Sequence, residues 1–178
     1  LLAYYCYAYM FQNCKKLTAA PELPATKLAN NCYKSMFYGC TSLAIAPELP
    51  ATTLGSYCYT NMFYDCTSLK TPPPILPAMS LKSFCYDDMF NGCTALEIAP
   101  VLPATSLASS CYSYMFAYCS KLRYIKARFL TTPSSSYTSN WMNGVAASGT
   151  FVKNAAATWD VEGKNGIPTG WTIETAES

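Results

Sequence analysis

The sequence predicts an α/β repeat protein: a right-handed solenoid of short parallel strands and short helices, about five coils long, closed by a C-terminal cap. Three observations predict it. The block Cys-Tyr-x-x-Met-Phe-x-x-Cys-x-x-Leu occurs five times, starting at Cys6, Cys32, Cys58, Cys85 and Cys111, with starts 26, 26, 27 and 26 residues apart. The second cysteines (Cys14, Cys40, Cys66, Cys93 and Cys119) keep the same register, and a period in the twenties is the length of one solenoid coil. Half the chain is apolar and only 12% is charged, so a long continuous core can form.

Within one period the elements follow in order. Cys-Tyr-x-x-Met-Phe predicts a turn or two of helix, because Cys6, Met10 and Phe11 fall near one face at helical spacing. The Leu17-type residue and its neighbours predict a short strand, which Pro21, Pro47, Pro73 and Pro100 end. Leu-Pro-Ala follows at Leu23, Leu49, Leu76 and Leu102, and a further Leu at Leu28, Leu54, Leu81 and Leu107. The one extra residue falls near Pro73–Ile75 and predicts a local bulge. A short strand and a short helix per coil is the leucine-rich-repeat plan. The predicted solenoid covers residues 1–124, and its opening in mid-repeat suggests N-terminal truncation. Residues 125–178 form the capping segment: Ser134–Ser136 cap a helix with Tyr137, Trp141 and Val145 on one face, and Phe151-Val152 and Trp171-Thr172-Ile173 form short strands.

Blocks such as Met36-Phe37-Tyr38-Gly39-Cys40-Thr41-Ser42-Leu43 resemble the BspA-like leucine-rich repeats of bacterial surface proteins, especially those abundant in gut Bacteroidetes. The resemblance covers residues 1 to about 124. The segment with Trp141, Gly149-Thr150-Phe151-Val152-Lys153 and Gly166-Ile167-Pro168-Thr169-Gly170-Trp171 looks like the ending such proteins often carry. The resemblance implies a bacterial extracellular or cell-surface location and a role in adhesion or host-molecule binding.

The ten cysteines admit three readings. If Cys6 to Cys14 spans two helical turns, their Cα atoms lie ~12 Å apart, beyond the reach of about 7 Å that a disulfide needs. Two ladders of buried free thiols are the first reading, since Cys behaves as a small hydrophobe. Bridges between neighbouring coils are the second, and an oxidising compartment favours them. Metal binding is the third, though C-x₇-C is not a usual zinc spacing.

The sequence offers no catalytic constellation and calls for no cofactor and no metal. Histidine is absent, which removes the commonest general base and metal ligand. Nucleophile elbow, P-loop and dinucleotide fingerprint are all missing. Asp87 and Asp88 are adjacent and would not face each other on a helix. Glu22 and Glu48 share a repeat position, whereas a glycosidase pair needs opposed faces. A net charge of +2 without a basic stripe argues against nucleic acid, and no apolar run is long enough to span a membrane.

Binding is therefore sought where the coils differ. Positions flanking the strand Leu point away from the core by period-2 alternation, and the predicted concave-face site is Lys16, Thr18, Ser68, Lys70, Glu97, Lys121 and Arg123. A plain solvated face is the competing reading. Tyr7, Tyr33, Tyr59, Tyr86 and Tyr112 predict a packed ladder with outward hydroxyls. Tyr9, Tyr38, Tyr64, Tyr114 and Tyr118, read as not sharing a phase, either pack at flanks or present an aromatic surface. Three functions follow: a non-enzymatic surface adhesin binding an extracellular protein through the concave face, a glycan-binding module using exposed Tyr and Trp rings, or a passive spacer.

Overall fold

The computed structural model describes residues 2–177. It corrects the predicted fold class. Among the described residues there is no helix, and the only strands are three short ones in a single parallel sheet: β1 (Tyr124–Ala127), β2 (Thr150–Asn154) and β3 (Thr172–Ala176). The chain is therefore not a leucine-rich-repeat solenoid of short helices and strands in about five coils. Where a strand was expected beside each Leu17-type residue, Leu43, Leu69 and Leu96 are followed only by isolated bridges, Ile45↔Thr71 and Ile98↔Tyr124, and a strand, β1, follows Leu122 alone.

The backbone explains why Cys-Tyr-x-x-Met-Phe is not helical. An α-helix sends every N–H to the carbonyl four residues back. Here the N–H groups alternate between two destinations. Ala8, Met10, Gln12 and Cys14 donate three residues back, to Tyr5, Tyr7, Tyr9 and Phe11. Tyr7, Tyr9, Phe11 and Asn13 donate instead to Cys32, Lys34, Met36 and Tyr38 of the next block, at 2.7–2.9 Å. Every fourth residue takes a left-handed conformation, as at Tyr5 (φ 56°), Tyr9 (φ 61°) and Asn13 (φ 59°), which no helix tolerates. Each segment is thus a run of consecutive turns laid over its copy in the next block.

This layering puts like side chains on like. The Phe row stacks from Phe11 to Phe116 with ring centroids 5.4–5.6 Å apart. The Tyr row stacks from Tyr7 to Tyr112 at 5.6–5.9 Å. Leu43, Leu69, Leu96 and Leu122 are fully buried beside them. Contrary to expectation, the Tyr hydroxyls do not reach outward: Tyr33, Tyr59, Tyr86 and Tyr112 are buried, and the Tyr86 hydroxyl has no partner.

The 26-residue phase also runs past residue 124. Tyr114, Phe116 and Tyr118 donate to Ser139, Trp141 and Asn143, and Asn140 and Gly144 take the positive φ of their counterparts Tyr114 and Tyr118. Trp141-Met142 stands where Met115-Phe116 stands one period earlier. The predicted helix with Tyr137, Trp141 and Val145 is therefore another run of turns. β1 pairs β2 at Tyr124↔Thr150, again one period apart, and β2 pairs β3 at Thr150↔Thr172. These β2 and β3 segments contain the expected Phe151-Val152 and Thr172-Ile173.

The extra residue interrupts the ladder as a proline effect. Ala46 donates to Thr71 at 2.9 Å and Ala99 to Tyr124 at 3.0 Å, but the corresponding donor in the third block would be Pro72, which has no N–H. Pairing resumes at Leu76, which donates to Val101 at 3.1 Å.

Candidate functional site

The predicted binding residues lie on one surface strip beside the buried Leu row. Lys16, Thr18, Lys70, Glu97, Lys121 and Arg123 are exposed, and Ser68 is half-buried. Backbone bonds from Lys70 to Ala44 (2.9 Å) and from Arg123 to Glu97 (3.0 Å) fix neighbouring layers against each other. The strip brings Glu97 and Arg123 together as an ion pair with both side chains largely in solvent. Such a pair contributes at most about 1 kcal/mol to stability, so the fold does not depend on it. Lys70 holds the equivalent position one layer before Glu97, whereas Lys16 and Thr18 belong to the first block and lie two layers from Ser68 and Lys70.

Sequence reasoning missed the apolar half of this strip. Ile45 is 62% exposed, Ile98 55% and Tyr124 36%, two residues after Leu43, Leu96 and Leu122 respectively. Period-2 alternation would have turned them inward with the Leu row. Ile45 and Ile98 face solvent because no strand runs on from the Leu row there, and Ala46 and Ala99 take the buried place one residue on, whereas Tyr124 opens β1, whose alternation buries Ile125 and Ala127 instead. The shared phase of Ile45 and Ile98 was the available signal.

The other candidates separate cleanly. Glu22 and Glu48 are exposed on one row, lining a shallow groove floored by Pro21, Pro24, Pro47 and Pro50. They stand side by side in adjacent layers, not across a cleft. Asp87 and Asp88 are half-buried; burial, reinforced by the Asp88 charge and opposed by Lys34, lifts the Asp87 carboxyl to about 7. Burial also raises Asp88, against the opposing hydrogen bond from Asn91 at 2.7 Å.

All ten cysteines are free thiols in the structure, buried from Cys32 to Cys119 and exposed at Cys6 and Cys14. The second-cysteine row is held by sulfur hydrogen bonds. Cys40, Cys66 and Cys93 each donate Sγ at 3.1 Å to the Phe carbonyl of the preceding block, and Cys119 does so at 3.0 Å. The same carbonyls accept the backbone N–H of the cysteine in their own block, as Phe11 does from Cys14. Burial lifts the Cys40 thiol to about 11 and the Cys111 thiol to about 12, and pushes Cys66, Cys93 and Cys119 up as well. Thiols so protonated are poor nucleophiles and poor metal ligands.

The aromatics divide by phase. Tyr38 and Tyr64, contrary to expectation, do share a phase, and stack half-buried at 4.8 Å with rings almost parallel. Tyr9, Tyr114 and Tyr118 are exposed. The three tryptophans are all buried and donate their indole N–H to carbonyls: Trp141 to Gly166 (2.8 Å), Trp159 to Phe129 (3.1 Å) and Trp171 to Ala146 (2.8 Å). They pack the C-terminal end and present no ring to a sugar.

No family model, curated protein or solved structure matches the chain. No helix among the described residues is long and apolar enough to cross a membrane.

Proposed function

We propose that this chain is a non-enzymatic, extracytoplasmic binding scaffold that takes an extracellular protein on the strip running from Ile45 and Lys70 to Arg123 and Tyr124. The observation that carries the reading is the exposure of Ile45, Ile98 and Tyr124 beside Lys70, Glu97 and Arg123. Exposed branched aliphatics beside a ring and opposite charges provide the apolar anchor and polar surround that protein interfaces use. The likeness of the repeat blocks to those of bacterial surface proteins supports an adhesive role at a bacterial cell surface.

The test is a binding screen against arrayed extracellular-matrix proteins and glycans, run with Glu97→Lys/Arg123→Glu and Ile98→Ser variants. The charge exchange keeps an ion pair and so spares the fold. A protein hit lost in both variants supports the strip. A glycan hit indifferent to both moves the site to Tyr114 and Tyr118, whose exposed rings favour that second reading. Silence on both arrays leaves a spacer role.

A further inference from the structure

The dipeptide Asn-Gly occurs three times, at Asn91-Gly92, Asn143-Gly144 and Asn165-Gly166. In this pair the backbone nitrogen readily attacks the side-chain amide before it, because glycine puts no Cβ in the way. Attack needs an amide free to swing round and a following N–H that no acceptor holds. The structure withholds both at two of the sites. Asn91 is buried and donates its amide to Asp88 at 2.7 Å, and the Gly92 N–H is held by the Ala117 carbonyl at 2.9 Å. The Asn165 side chain accepts the Asn140 N–H at 2.8 Å, and the buried Gly166 donates to Gly163 at 2.9 Å. Asn143 differs in each respect. It is half-buried, its side chain makes no hydrogen bond among the described residues, and the N–H of the exposed Gly144 has no acceptor among them. The repeat explains why. At this phase a left-handed residue donates its N–H to the next layer: Asn13 to Tyr38, Gly39 to Tyr64, Asp65 to Asn91, Gly92 to Ala117 and Tyr118 to Asn143, at 2.7–2.9 Å. Gly144 continues the row with φ 74°, but the chain beyond it turns into β2. The last N–H of this run to reach the covering loop is that of Met142, which donates to Lys164 at 3.5 Å. Glycine is fixed at 144, since a Cβ there would also lie 3.1 Å from the Tyr118 ring.

We propose that Asn143 is a self-modifying site, converted to aspartyl and isoaspartyl residues by cyclisation onto Gly144. The Gly144 nitrogen gives its proton to hydroxide and attacks Cγ of Asn143. The new C–N bond forms as the bond to the amide nitrogen breaks, and that nitrogen takes up a proton and leaves as ammonia. Water then opens the succinimide at either carbonyl. The net change replaces one amide by a carboxyl group and needs no oxidant or reductant. Opening at the α-carbonyl gives the isoaspartyl product. The carbonyl that receives the Tyr118 N–H then becomes a free carboxylate, and the main chain runs through Cβ, one carbon longer. That carbon enters just before the return bonds of Ala146 to Leu122 (3.2 Å) and Thr150 to Arg123 (2.8 Å), where the stack of layers joins β2. Either product also puts an anion into the shallow pocket that Asn143 and Gly144 share with Lys164.

The test is peptide mapping by mass spectrometry of the full chain aged at body temperature in mildly alkaline buffer, with isoaspartate counted by an isoaspartyl methyltransferase. A parallel sample aged in guanidinium chloride removes the structure and leaves the chemistry, so all three asparagines should react there at similar rates. In native buffer Asn143 should react more than about tenfold faster than Asn91 and Asn165, because each of those must first break two hydrogen bonds. Asn143→Gln keeps an amide but must close a larger, slower-forming ring, and it should abolish the isoaspartate signal of the native chain. Equal rates at the three sites in native buffer, a faster Asn91 or Asn165, an Asn143 that reacts only in guanidinium, or a native signal that survives Asn143→Gln would each overturn the proposal.

Discussion

Truncating one phenylalanine at two different depths of the stack tests whether the layers support one another. Phe63 is fully buried and stacked on both faces, 5.6 Å from Phe37 and 5.4 Å from Phe90. Phe11 is half-buried and has one stacked neighbour, Phe37, at 5.6 Å. Phe63→Ala removes a whole core side chain and both ring contacts, and cavity formation of this kind costs about 3–5 kcal/mol. Phe11→Ala leaves its gap open to solvent and loses one ring contact, so about 1–2 kcal/mol is expected. With a urea m-value of about 2 kcal/mol/M, the midpoint should fall by about 2 M for the first and by under about 1 M for the second. The assay is urea unfolding followed by tyrosine and tryptophan fluorescence. Equal losses would refute the reasoning, because they would mean that stacking between layers carries no stability beyond the burial of each ring in its own block.

The remaining expectations concern charge, thiols and backbone. Folded Asp87 holds its proton to about pH 7, whereas unfolded Asp releases it near pH 4. Stability from this site is therefore present below about pH 4 and is lost as pH rises to about 7. Asp87→Asn should gain about 1–2 kcal/mol at pH 8, discounted for partial solvent access, and nothing at pH 4, as measured by thermal unfolding across that range. In native buffer, iodoacetamide should modify Cys6 and Cys14 quickly and the eight buried thiols only on unfolding, as counted by mass spectrometry. Gly55→Ala should destabilise by about 1–3 kcal/mol in urea titration. Its Cβ would lie 2.4 Å from the backbone of Ala29 and Asn30, which has no side-chain freedom to yield.

The repeat itself was legible, because identical residues at identical phase are visible without any structure: the rows of Cys, Tyr, Met, Phe and Leu lie where the period put them. The local conformation was not. Cys6, Met10 and Phe11 satisfy helical spacing as well as they satisfy a run of turns, and apolar periodicity cannot separate the two. The discriminating signal was the residues at every fourth position. Asn13, Asn31, Ser35, Gly39, Asn61, Asp65, Asp88 and Gly92 are largely the types that accept a left-handed backbone, but Tyr5, Tyr9, Tyr57 and Phe84 at the same positions hide them. The layer built on Trp141 escaped notice because Tyr137 and Val145 stand where cysteines stand in the other blocks. Of the candidate strip, the charged flank of Lys70, Glu97 and Arg123 followed from alternation beside the Leu row. Ile45 and Ile98 did not, because alternation fails where no strand forms, and Tyr124 did not, because β1 begins at Tyr124 and alternates in the phase opposite to Leu122.

The alternation of turn bonds with bonds to the next block bears on how the chain reaches this state. A helix nucleates within a single turn of backbone. Here the bonds between layers close loops of 25 or 26 residues, as from Tyr33 to Cys58 or Tyr59 to Cys85. Closing the first such loop costs about 3 kcal/mol from its length alone, before a second layer offers any ring or carbonyl in return. Once two layers are joined, a third block adds to a template already in place. The rate of folding should thus be set by the first pairing of neighbours and depend little on how many blocks follow, and a break in the middle of the stack should slow it more than one at either end.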